Sequence, residues 1–247
     1  MSNNYIVQKN VDKIRRKNYT YFLNPGLLQE IRYYLKGNEY NIYEVYPDCD
    51  KVILYTKKIP IVRLIAIDSI YPLKHSDILG SLFGLNIEDE IFGDIIVDNG
   101  NYYFYVVDEI FDFIMNNLQI IGKYKIKLRE IDIDYLKDYR RKYEECILDV
   151  SSLRIDNVVS KIIGSSRDKF REKIKNREII LNYKILSKGS YFLKENDIFS
   201  IKGIGKYRFT GIINTTKKNK YIIRCLKYKW YASVNVLTIN NLFFTTG

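Results

Sequence analysis

Asn99 and Gly100 stand between two strongly apolar runs, GDIIVD and YYFYVV. Both turn residues accept positive φ, so the stretch closes as a tight antiparallel hairpin. A hairpin commits its neighbourhood to a sheet whose apolar side must be covered. Ser76 is placed to cap a helix through Leu85, and an acidic stretch, Glu88 to Glu90, leads into the hairpin. Asp108 is placed to cap a second helix running to about Leu118, and KYKIKLREI alternates as a further strand. The order helix, strand, strand, helix, strand over 74–146 predicts a sheet with helices on one face.

Upstream, Asn24-Pro25 followed by LLQEIRYYLK and Gly37 has an N-cap, a proline at the first helical position and a glycine past the end. A weaker helical pattern covers Tyr5 to Thr20, and the β-branched runs Lys51–Tyr55 and Pro60–Ile67 read as strands. Residues 1–73 are expected to form a small α/β domain. Residues 130–146 mix charges densely without proline or glycine and are read as a connector, counted with the middle domain at 74–146. The whole is expected to be an α+β protein.

Charge divides the chain sharply. Residues 1–146 hold 20 Lys and Arg against 22 Asp and Glu, residues 147–229 hold 20 against 7, and residues 230–247 hold none. A bias in coding composition would not leave the first part slightly acidic. An excess confined to one third predicts a polyanionic partner docking there, because neutralised phosphates release their counterions. The uncharged tail, 230–247, is left as an added strand, a disordered extension or a reading-frame artefact.

Within the basic third, Ser152 is placed to cap a helix through Ile163 that ends at Gly164, and Ser165 with Asp168 has the form of a capping box opening a second helix to about Asn176. Arg167, Arg171 and Lys175 recur every four residues on one face, Lys169 and Lys173 flank the other side, and Phe170 with Ile174 make a narrow apolar stripe. So narrow a stripe among so many cations leaves most of the helix to water or to phosphate. EIILNYKI, DIFSIKG and YIIRCLKY follow as strands.

LRIDNVV (153–159), SRDKFREKIKNREIILNYK (166–184) and LKENDIFSIKG (193–203) resemble the S4 RNA-binding domain. Its pattern is Leu-Arg-Leu-Asp, a Ser-Arg pair opening the second helix, a Val-x-Val-Asn strand and a Gly-Asp-Val-Ile closing strand. This chain departs where Phe170 replaces the usual small residue, where Arg177 replaces the usual glycine, and where Asn196-Asp197 replaces Gly-Asp. The second departure requires either a left-handed Asn176 or a turn strained by about 1 kcal/mol. KHSDILGSLFGLNIEDEIFGDIIV (74–97), YTYFLNP (19–25) and TTKKNKYIIRCLKYK (215–229) extend the resemblance to the bacterial YlmH family, which carries an RRM-like middle domain before a C-terminal S4 domain. Where relatives often carry a Gly-rich, acidic and Arg-rich stretch in the first domain, this chain has EVYPDCDKVILYT.

The resemblance implies a non-catalytic RNA-binding protein on the large ribosomal subunit, serving ribosome-associated quality control of stalled nascent chains. rRNA or tRNA would be bound, with a quality-control protein as a further partner, by a cytoplasmic monomer that uses no membrane. Arg154, Arg167, Lys169, Arg171, Lys173, Lys175, Arg177 and Lys184 would meet phosphates, and Ser166 and Asn182 would add polar contacts. Base stacking is weighed for Tyr102, Phe104 and Tyr183.

Two alternatives are an RNA-modifying enzyme of the pseudouridine-synthase kind and a cell-division interaction protein. Against the first, no Gly-rich loop joins a strand to a helix, and Ser152 stands where a synthase motif has glycine. Against the second, no coiled-coil heptads or membrane-seeking helix occur. No catalytic residue, cofactor or metal is expected. The lone His75 begins a helix; Asp108, Glu109 and Asp112 suit a helix N-terminus. Cys49, Cys146 and Cys225 fit neither a disulfide framework nor a zinc spacing and are read as reduced and mostly buried. The N-terminus lacks the apolar stretch of a secretory signal.

Overall fold

The computed structural model describes residues 3–165 and 167–229, with Asn3 and Arg167 described by their backbone alone. Two compact units divide at 140/141. The protein is α+β, and the described sheets are antiparallel throughout.

In the first unit, α1 (Asn3–Lys17) and α2 (Pro25–Tyr34) pack through Val7, Val11, Ile14, Leu27 and Ile31. Asn24 caps α2 as expected, its Oδ1 accepting from Leu27 N at 3.0 Å. β1 (Asn41–Tyr43) and β2 (Ile53–Tyr55) form a hairpin. The principal sheet contains β3 (Val62–Asp68), β4 (Phe92–Asp98), β5 (Asn101–Val107) and β8 (Lys127–Ile131) in the order β4-β5-β3-β8. Residues 62–68 thus share a sheet with residues 92–131. The hairpin turn is as expected, with Asn99 at φ 50° and Gly100 at φ 84°.

Helices α3 (His75–Gly84) and α4 (Asp108–Asn117) cover one face of this sheet through Ile78, Leu82 and Ile114. Phe22, Val45, Tyr46, Ile53 and Leu136 cover the other. Both faces are therefore dry along β3, β4 and β5, which is why β4 and β5 read as continuous apolar runs rather than alternating ones. The expected side-chain caps are replaced by backbone entries: α3 follows Lys74 and α4 follows Val107, neither with a side-chain cap bond. KYKIKLREI divides into β7 (Tyr124–Lys125), paired with β6 (Ile120–Ile121), and β8, paired with β3.

The second unit is built on six strands, β9 (Tyr143–Val150), β10 (Ile179–Leu181), β11 (Lys184–Ile185), β12 (Ile198–Ile201), β13 (Gly205–Thr215) and β14 (Tyr221–Tyr228). They form one sheet in the order β11-β10-β12-β13-β14-β9. Helices α5 (Ile155–Ile163) and α6 (Arg167–Lys175) pack on one face through Ile155, Val158, Val159 and Phe170 against Phe199, Tyr207, Phe209, Ile223 and Cys225. Two strands of this unit went unread in the sequence. Tyr143–Cys146, inside the supposed connector, begins β9, and β13 starts at Gly205, between the runs read as strands. Glycine accounts for the second miss: Gly211, at φ 122°, sits at a shift in register between β13 and β14.

The three cysteines are free, with Cys225 buried and Cys49 and Cys146 half-buried. Burial first, then the neighbouring Cys146, pushes the Cys225 thiol up to about 12. No helix of the described residues is long and apolar enough to cross a membrane. The tail at 230–247 lies outside the described residues.

Candidate nucleic-acid interface

The helix pair of the second unit is made by one left-handed residue and one close approach. Gly164 takes φ 65°, and its N–H donates to Lys161 O at 3.2 Å, ending α5 as the sequence predicts. The start of α5 differs from expectation. Arg154 stands at the cap position without a side-chain cap bond, and Ser152 Oγ accepts instead from Arg154 N at 3.2 Å.

Phe170 anchors α6, only 4% exposed. The helix is held close to residue 189, because a Cβ built on Gly189 would lie 2.5 Å from Phe170 Cε1. The large residue in place of the usual small one is thus matched by an absent side chain across the contact. At the end of α6 the left-handed residue is Arg177, at φ 56°, and not Asn176. Arg177 N donates to Ile174 O and Glu178 N to Lys173 O, each at 2.9 Å. A non-glycine residue in this conformation costs about 1 kcal/mol, the second of the two outcomes the sequence left open.

The cations of this region fall into two groups. Some are tied to the fold. Arg154 pairs with Asp156 through Nη2–Oδ2 at 2.6 Å and Nε–Oδ1 at 3.2 Å. Lys173 Nζ donates to Glu178 Oε2 at 2.9 Å and holds that carboxyl below the ordinary glutamate range. Asn182 is also committed: its Nδ2 donates to Asp197 Oδ1 at 2.7 Å, and its Oδ1 accepts from Ile198 N at 2.9 Å. Asn182 and Tyr183, at φ 46° and 65°, form the tight turn between β10 and β11.

Lys169, Arg171, Lys175 and Arg177 face water, and Lys184 is also exposed. Arg171 has an exposed ion pair with Asp168, Nη1–Oδ1 3.2 Å, of a kind worth little in water. Ser166 lies outside the described residues, and of Arg167 only the helical backbone is described.

A cationic and aromatic group on β13 and β14 was missed in the sequence. Lys206 Nζ lies 5.1 Å from the Tyr183 ring centroid and 4.6 Å from that of Tyr228, while the Arg208 guanidinium lies 5.6 Å from Tyr143 and 5.8 Å from Tyr228. The period-two pattern Lys206-x-Arg208 was the available signal, obscured by the two glycines before it. The aromatic strand of the first unit, in contrast, offers no stacking surface. Tyr102 and Phe104 are 3% and 0% exposed, and Tyr102 Oη accepts from Leu73 N at 2.8 Å. Both lie on the face that α3 and α4 cover, which overturns the stacking expectation for these two residues.

These features define a class: an α+β protein that presents a cationic helix pair on an antiparallel sheet. Comparison with known proteins makes the relationship particular. Residues 61–135 match the family model described as "Putative RNA-binding domain in YlmH". The chain is 32% identical over 154 residues to Ribosome-associated protein quality control protein P2 of Bacillus subtilis (strain 168), covering 62% of this chain and 60% of that protein. It is 30% identical over 93 residues to Small ribosomal subunit protein uS4 of Wigglesworthia glossinidia brevipalpis, covering 33% of this chain and 45% of that one. A looser structural likeness, TM-score 0.42 at 18% identity over 53% of this chain and 89% of the other, is to Cell division protein ylmH from Streptococcus pneumoniae. The chain resembles the YlmH family, as its motifs imply, and spans less than two thirds of the curated relatives it matches.

Proposed function

We propose that this protein binds structured rRNA or tRNA without catalysing a reaction, working at the large ribosomal subunit in quality control of stalled nascent chains. The observation that carries the reading is the exposed cationic face of α6 and the turns beside it. Arg171 and Lys175, with Arg167 on the same face of the helix, are spaced to follow a phosphate backbone, and Lys169, Arg177 and Lys184 add exposed charge beside them. Arg154, Lys173 and Asn182 hold the scaffold that presents them. Contacts of this kind fix position through shape and charge more than through base sequence. The relatives support the coarser part of this reading, RNA binding on the ribosome, one being named for ribosome-associated quality control and the other a ribosomal protein. Such a protein would work in the cytoplasm, beside a quality-control partner and as a monomer.

A gel shift with a structured rRNA fragment at low salt tests the site. Arg167→Glu with Arg171→Glu should abolish binding while the thermal midpoint stays in place. Unchanged affinity would refute the assignment of this face.

A further inference from the structure

The slightly acidic average of the first 146 residues conceals a helix as basic as α6. α1 carries Lys9, Lys13, Arg15, Arg16 and Lys17 against Asp12 alone, whereas α6 carries five bases against Asp168 and Glu172. Two of the α1 cations are used within the fold. Lys9 is held by Glu88 and Glu90, and Lys13 Nζ lies 2.8 Å from each oxygen of Glu109. Arg15, Arg16 and Lys17 are exposed in the last turn, and no carboxylate of the described residues pairs with them.

The fold adds two more cations at the same place. Asn18 O accepts from Thr56 N at 2.9 Å, and Tyr19 bridges to Tyr55, so the loop bearing exposed Lys57 and Lys58 is fastened at the end of α1. Lys17 and Lys58 line one cleft of about 230 Å³ together with Tyr19, Ile59, Pro60 and Ile61. Asp108 and Glu109 also line it, but Asp108 accepts from Arg63 Nε at 2.7 Å, and Glu109 accepts from Lys13 and from the Tyr19 hydroxyl.

Cations are favourable at a helix C-terminus, which accounts for Arg15 to Lys17. It does not account for Lys57 and Lys58, whose like charge beside them is unfavourable unless an anion joins the group. The apolar lining narrows the choice of anion. Ile59 and Ile61 are 42% and 57% exposed, and they line a concave surface that a flat bilayer does not fill. A duplex keeps its bases stacked inside, whereas a single strand can lay a base or sugar on such a lining and its phosphates on the flanking lysines.

We propose that the end of α1 and the 57–61 loop form a second RNA site, taking a single-stranded segment. The site belongs to the first unit, and its cations, Arg15, Arg16, Lys17, Lys57 and Lys58, lie outside the family-matched residues 61–135, whereas Ile61, Val107, Asp108 and Glu109 of the same cleft lie inside them.

The test uses the full chain and a fluorescent oligouridylate in anisotropy titrations over a range of salt. Measurements are made in the wild type and in a background carrying Arg171→Glu and Lys175→Glu. In that background residual binding should persist, and adding Lys17→Glu with Lys58→Glu should weaken it by about tenfold or more, lowering the log–log salt slope by roughly 1.4. All four positions are exposed, and an unchanged thermal midpoint checks folding. A 4-thiouridine oligomer should crosslink within residues 15–19 or 57–61.

Unchanged affinity and slope on adding the Lys17 and Lys58 reversals would overturn the second site while leaving α6 untouched. If the α6 reversals have no effect and the Lys17 and Lys58 reversals do, the second site stands and the α6 reading fails. Binding of acidic phospholipid vesicles that these reversals abolish, with RNA affinity unchanged, would overturn the proposal in favour of a membrane surface.

Discussion

Arg63 in the first unit lies between Asp108 and Glu130, each at 2.7 Å, Arg129 takes both oxygens of Asp68, and Lys51 meets Asp89 at 2.9 Å. In the second unit, Lys169, Lys175 and Arg177 stand exposed on or just beyond α6. The first sheet is dry on both faces along β3, β4 and β5, and its cations are largely matched with acids at its edges. The second unit concentrates its helix contacts on one side of its sheet and leaves the outer surface of α6 to cations. Net charge alone would therefore mislead, because what a polyanion meets is the charge that no carboxylate has already engaged.

The largest expected effect lies beneath the charged surface. Phe170→Ala removes the buried anchor of α6 and should destabilise the second unit by about 3 to 5 kcal/mol, read as a shift in the urea midpoint. Gly189→Ala should also destabilise, since its Cβ meets the Phe170 ring. Combining it with Phe170→Leu should recover part of the loss, which a double-mutant cycle would detect. Additive losses would break the pairing of these two positions.

Next in size are the charges. Lys169→Glu with Lys175→Glu should reduce affinity for structured RNA by roughly tenfold or more and flatten its salt dependence. Arg63→Glu, which disturbs a cation already held by two acids, should change RNA affinity far less. Equal losses in filter binding would erase the contrast between the units.

Arg177 separates backbone from charge. Arg177→Gly relieves a left-handed conformation and should stabilise the fold by about 1 kcal/mol while weakening RNA binding slightly. Thermal melts and titrations on one preparation would show the two effects in opposite directions.

Acid gives the smallest effect. Burial raises the Glu109 carboxyl, but hydrogen bonds from Lys13 and Tyr19 outweigh it and hold the group below its ordinary value of 4.5. Hydrogen bonding to Arg129 likewise holds Asp68 down. Such groups stabilise the folded state above their unfolded values and cease to do so as pH falls through the lowered ones. The melting temperature of the first unit should decline below about pH 4.5, and Glu109→Gln should reduce that decline.

Much of the architecture was legible because local chemistry and fold agreed. Asn24-Pro25, Asn99-Gly100 and Gly164 each marked an element end that the structure keeps. Helix caps at Ser76, Asp108 and Ser152 were less legible, since backbone entry from Lys74, Val107 and Arg154 replaced side-chain capping. β13 was obscured by Gly205 and Gly211, residues that punctuate a strand without ending it. The cationic stripe of α6 could be read from its four-residue spacing, but which cations are committed internally could not. Arg154 and Lys173 find Asp156 and Glu178 through turns whose closure depends on the tertiary fold. The cluster at the end of α1 was hidden by averaging over a long acidic segment, and Lys57 and Lys58 join it only through Asn18 and Thr56.

Sedimentation with ribosomal subunits in low and moderate salt, wild type beside Arg167→Glu with Arg171→Glu, tests the central reading most directly. Salt-sensitive migration with the large subunit, abolished by the charge reversals, is the expected result. Wild type that remains at the top of both gradients, or reversed protein that still migrates with the subunit, would contradict it.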